Sequence, residues 1–168
     1  MTYLIVGNIL SFIGVVFLAL SSIVLDKKRT VFYQIFDCLF CTLSNIALGG
    51  FSGAVVTLAS MLRNALVYFD KNTHKITIII ALVMTIVGVL VNRHGIIGWL
   101  PIIASIQYTL WLGWGFTSNK SVKLALAINL AIWAVYDAVI MAFPALIADL
   151  IIFVLSVFGY YRSCRIEK

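Results

Sequence analysis

The chain has 168 residues, 63% of them hydrophobic and 11% charged, with a formal net charge of +6 and a mean hydropathy of +1.11. Water-soluble domains carry about 45–50% apolar and about 25% charged residues, so a single aqueous core cannot hide this much apolar surface. Soluble enzymes, nucleic-acid-binding modules and disulfide-stapled secreted domains are excluded, and an all-α polytopic membrane protein remains.

Seven hydrophobic runs follow in order, at 3–25, 31–48, 51–69, 76–91, 96–116, 122–141 and 144–161. The breaks between them are polar or glycine-rich, such as Asp26-Lys27-Lys28-Arg29-Thr30, Gly49-Gly50 and Asn92-Arg93-His94-Gly95. The fourth run is the shortest. Only Met1 and Thr2 precede the first run, with no basic segment before it, so it reads as a retained helix rather than a cleaved signal.

Short loops rich in Lys and Arg stay in the cytoplasm. With the N-terminus outside, the inner side receives Lys27, Lys28, Arg29, Lys71, Lys75, Lys120, Lys123, Arg162, Arg165 and Lys168, while the outer side receives only Arg93. The bias requires an odd number of crossings. Seven spans with the C-terminus inside are therefore expected, in a plasma (inner) membrane.

Sliding the chain against itself by 92 residues lays runs two and three on runs six and seven without a gap. Asp37 then meets Asn129, Asn45 meets Asp137, Phe51 meets Phe143, Gly53 meets Ala145 and Tyr68 meets Tyr160. Polar residues are rare inside membranes, so the polar pairs carry most of the information. Two parallel copies of three helices need a reversing helix between them, and run four serves. The expected organisation is a first bundle at 1–70, a linker helix at 71–95 and a second bundle at 96–168, as in parallel-repeat transporters.

A rise of ~1.5 Å per residue converts sequence position into depth. Asp37, Cys41 and Asn45 are spaced i, i+4, i+8 and share a face of run two; Asn129, Trp133 and Asp137 do the same on run six. An outer layer of Asn45, Thr57, Asp137 and Asp149 lies above an inner layer of Asp37, Arg63, Asn64, Asn129 and Ser156. Asp37 and Arg63 share a depth, which suits an ion pair, either as structural glue for the first bundle or as a gate that includes Asn64. Asp137 and Asp149 also share a level, where two facing carboxylates cannot both ionise easily. Such a pair can share a proton, bind a cation or meet an amine on a substrate; alternatively each acid faces its own polar neighbour. Trp133 near mid-depth offers a stacking surface or ordinary packing, and Gln107 with Tyr108 reaches a similar level. Trp99, Trp111 and Trp114 suit the membrane interfaces.

Cys38 and Cys41 spell C-x-x-C, yet inside a span with no second pair they read as small packing residues rather than a metal or redox site. His74 and His94 fall in loops and receive no role. No phosphate loop, nucleophile triad or zinc-protease motif occurs, so no enzyme activity, metal or cofactor is expected.

The stretch Gly49-Gly50-Phe51-Ser52-Gly53-Ala54, the run Leu58-Ala59-Ser60-Met61-Leu62-Arg63-Asn64, the tetrad Leu100-Pro101-Ile102-Ile103 and Trp133 resemble the YgjV family of bacterial inner-membrane proteins. That family more distantly resembles the SWEET, PQ-loop and PnuC-type transporters, which implies the seven-helix fold and small-molecule transport. The chain has no Pro-Gln dipeptide, and its only prolines are Pro101 and Pro144. The hinge proline of SWEET-type carriers is thus missing from the first helix, which counts against a sugar substrate.

The expected function is a carrier of a small polar metabolite by alternating access, proton- or cation-coupled. Asn45, Gln107, Asn129, Trp133, Asp137 and Asp149 would contact the solute, and Asp37, Arg63 and Asn64 would gate the inner end. A membrane receptor or regulatory protein on the same fold is the alternative. The lipid bilayer and a small solute are the expected partners, with no nucleic acid; a monomer suffices, and a homo-oligomer is compatible.

Overall fold

The computed structural model describes residues 2–23, 27–71, 73–113 and 119–166. Among them the chain forms seven α-helices: α1 (Thr2–Ile23), α2 (Lys27–Ala47), α3 (Phe51–Tyr68), α4 (His74–Leu90), α5 (Leu100–Gly113), α6 (Asn119–Ile140) and α7 (Phe143–Ile166). A short 3₁₀ turn, Ile97–Trp99, leads into α5. By length and composition five segments can cross a membrane: Thr2–Ser21, Lys28–Ala47, Phe51–Tyr68, Lys123–Ile140 and Phe143–Tyr161. The 17-residue α4 is apolar but shorter. The first residues of run five wind as a 3₁₀ turn ahead of Pro101, a residue that suits a first helical turn, where no N–H donor is needed. Trp114 and parts of the breaks at 26–30, 70–75 and 117–121 lie outside the described residues.

The burial pattern is inverted relative to a water-soluble protein. Large apolar side chains face outward, as Leu82, Ile86, Leu155 and Phe158 do, the last being 69% exposed. Much of what is buried is small or polar, including Ser11, Ser44, Asn45, Ala104, Ala125, Asn64 and Asp137. In water such a surface would drive aggregation; in a bilayer, lipid covers the apolar side chains while small residues let helices approach closely. Helix contacts run α1–α2–α3–α5–α6–α7 and back to α1, closing a ring, while α4 leans on α3 and α5. Val56, Met84 and Ile102 lock the junction of α3, α4 and α5.

Two turns are built alike. Gly49, at φ +79°, ends α2 while Gly50 N–H donates to Asn45 O at 2.7 Å; Met141, at φ +60°, ends α6 while Ala142 N–H donates to Asp137 O at 2.9 Å. Both are left-handed caps that satisfy carbonyls left over at a helix end. The spacing between them is the 92 residues of the sequence alignment, and the starts of α3 and α7 keep the same offset. At Gly49 the left-handed conformation is free of Cβ strain, whereas Met141 bears it.

Candidate functional site

Inside the ring lies a cavity of about 770 Å³ to which all seven α-helices contribute. At one end its wall is buried, formed by Ser11, Ser44, Asn45 and Ala142. At the other end it reaches Thr73 and His74, which are exposed. The cavity is therefore open beside the α3–α4 turn and closed beside the α6–α7 turn.

The closed end is held by polar contacts between the first three helices and the rest of the chain. Asn8 on α1 donates from Nδ2 to Met141 O and accepts from Phe143 N–H on Oδ1, both at 3.0 Å. Ser11 Oγ accepts from Ala145 N–H at 3.1 Å, and Tyr136 Oη accepts from Gly53 N–H at 3.2 Å. These amides lie in the first turns of α7 and α3, where no intrahelical acceptor exists. Each helix start is thus capped by a side chain from another helix, tying the first three helices to the last two. Tyr136 has room because Gly53 lacks a side chain: a Cβ there would lie 2.8 Å from the tyrosine ring edge. From the α4–α5 loop, His94 Nε2 donates to Gly49 O at 3.0 Å, and the Arg93 guanidinium sits 4.8 Å from the Phe51 ring centroid.

The wall carries most of the residues expected from sequence. Asp37, Cys41 and Asn45 run along α2, and Asn129, Trp133 and Asp137 run along α6, so both i, i+4, i+8 faces point into the cavity. Arg63 and Asn64 line it from α3, and Asp149 from α7. Asp149 thus shares the cavity lining with Asp137 and Asp37. Asp137 is 4% exposed, and neither it nor Asp149 has a side-chain hydrogen bond or ion pair among the described residues. Asn129 donates to Ala104 O at 2.8 Å, tying α6 to α5. Asn45 donates to Cys41 O at 2.9 Å, leaving its buried Oδ1 without a donor.

Two expectations are corrected. Arg63 and Asp37 share the cavity but form no ion pair; the guanidinium donates to Thr109 Oγ1 on α5 at 2.9 Å, and Asp37 accepts from Cys41 Sγ at 3.4 Å. Depth alone could not show that the arginine reaches across to α5. Gln107 falls outside the cavity lining, which takes Ser105, Tyr108 and Thr109 from α5 instead. Those three sit at i, i+3, i+4, one face of a helix, and Gln107 is turned ~100° from Tyr108. Both polar atoms of its amide are buried without a partner.

Sequence reasoning missed Asn8, Ser11, Tyr136 and His94. Asn8 alone had a visible signal, as an amide inside the first apolar run. Cys38 and Cys41 are free thiols on the wall, and no group of three His, Cys, Asp or Glu side chains among the described residues is placed to hold a metal.

The family model of the YgjV bacterial inner membrane proteins matches residues 5–167. The chain belongs to that family and resides in the bacterial inner membrane. No curated protein and no solved structure matches it.

Proposed function

For a member of this inner-membrane family, we propose a carrier that moves a small polar metabolite by alternating access. The single observation that carries this reading is the central cavity, open at one end and closed at the other by hydrogen bonds that join α1 to the α6–α7 turn and α3 to α6. A solute path needs such a vestibule, and a reversible seal is what alternating access requires.

In this reading all seven helices span, with the N-terminus outside and the C-terminus inside, and 71–95 links bundles 1–70 and 96–168. The helix-contact ring is unchanged when α1, α2 and α3 exchange with α5, α6 and α7, which supports two parallel copies around an axis along the membrane normal. With the basic loops inside, the open mouth faces the cytoplasm. Asp37, Arg63 and Asn64 then stand toward the mouth as an inner gate, and Asn45, Asn129, Trp133, Asp137 and Asp149 form the deeper solute site. One chain lines the whole cavity, so a monomer suffices, and the solute passes without chemical change.

The test begins with a thermal-shift panel of vitamins, nucleosides, amines and sugars on the purified protein, since a ligand of the folded state raises its melting temperature. A ligand found this way is then followed by counterflow in reconstituted vesicles. Flux is expected in wild type and lost in Asp137→Asn, with the variant still monodisperse and folded. Saturable binding with no flux would make the protein a receptor or regulatory partner instead.

A further inference from the structure

The cavity wall is unbalanced in charge. Among the described residues Asp37, Asp137 and Asp149 line it against a single guanidinium, Arg63, which donates to neutral Thr109 rather than to any of the three. The Lys28–Asp70 ion pair lies far out on the surface, more than half exposed on both sides. Unpaired carboxylates in a membrane-embedded wall are costly unless a counter-charge or water reaches them.

A second feature points the same way. Asp137 is 4% exposed, lines the cavity and has no hydrogen-bond or ion-pair partner among the described residues. A buried carboxylate left unpartnered on a cavity wall calls for a ligand that brings positive charge and N–H donors. A bare metal ion does not suit the arrangement, since the acids are spread along the wall and no three of them with His or Cys converge on one point. The wall also carries apolar residues, among them Leu126, Leu130, Trp133 and Ala148. That surface suits a hydrocarbon or ring, and an indole face attracts a cation held over it.

We infer that the cavity binds an organic cation: a protonated primary amine held by Asp137 and Asp149, with an apolar body against Trp133. As a statement about the transported solute this rests on the carrier reading; as a statement about binding it does not.

Titration of the purified full-length protein in detergent with 2-phenylethylamine, 2-phenylethanol and 3-phenylpropanoate tests it, because the three probes share a body and differ in head-group charge. The amine is expected to bind saturably, at least tenfold tighter than the alcohol, and the acid not to bind. Asp149→Asn should weaken the amine at least tenfold. Arg63→Gln should tighten it several-fold, an opposite sign that a folding defect cannot mimic. Equal affinity for amine and alcohol, preference for the acid, or weakening by both substitutions would overturn the inference. Amine binding without vesicle flux keeps the inference and removes the carrier; counterflow of an uncharged or anionic solute with no amine binding does the reverse.

Discussion

Replacing Tyr136 by Phe isolates one contact of the sealed end. Tyr136 is fully buried, and its ring packs edge-on against Trp133 at 5.7 Å between centroids, so the substitution keeps the ring and deletes only the phenol oxygen. That oxygen accepts from Gly53 N–H, an amide in the first turn of α3 whose N-cap, Gly50, has no side chain to offer. Leaving a buried donor unpaired costs about 1–3 kcal/mol. The contact joins α6 to α3 across the ring, so the loss falls on the sealed conformation and spares one in which that end has parted. A bias of about 1–3 kcal/mol changes the ratio of two conformations by about 5- to 150-fold. Cys38 and Cys41 line the cavity and serve as native reporters. In intact cells a membrane-impermeant maleimide should label them faster in Tyr136→Phe than in wild type, by a factor within that range. An unchanged labelling rate together with an unchanged melting temperature would refute the account of the seal.

Two further substitutions test local readings. Met141→Gly relieves a left-handed conformation that costs a side-chain-bearing residue about 1–2 kcal/mol, so thermal unfolding should shift upward, and a lower melting temperature would show that the methionine side chain contributes more than its backbone costs. Asp70→Asn removes the Lys28 ion pair, 3.4 Å apart and exposed, while asparagine still tolerates the φ of +56° at that position. Exposed pairs contribute about 0–1 kcal/mol, so the melting temperature should barely move, and a large drop would mean that this turn braces the mouth.

Much of the architecture is written locally in the chain. Runs of apolar residues broken by Gly49-Gly50 or Asp70-Lys71 become helices with left-handed caps at Gly49 and Asp70, because capping chemistry acts within a few residues. Thr73 likewise accepts from Ile76 N–H and starts α4. Helical periodicity alone put Asp37, Cys41 and Asn45 on one face, and Asn129, Trp133 and Asp137 on another. Gln107 shows the limit of the same reasoning: depth along a helix says nothing of direction around it, and the side chain is turned away from the cavity.

What the chain determined unaided is thus the helical content, the membrane as solvent and the faces that carry the polar residues, since each follows from composition or from spacing along one helix. Tertiary structure alone decided how the helices are rotated against one another. That rotation sends Arg63 to Thr109 instead of Asp37, turns Asp149 into the same cavity as the other two acids, and lets Asn8 and Tyr136 cap helices 133–135 and 83 residues away. A hydrogen bond depends on angle and on a few tenths of an ångström, and those are settled only when every helix of the ring has packed.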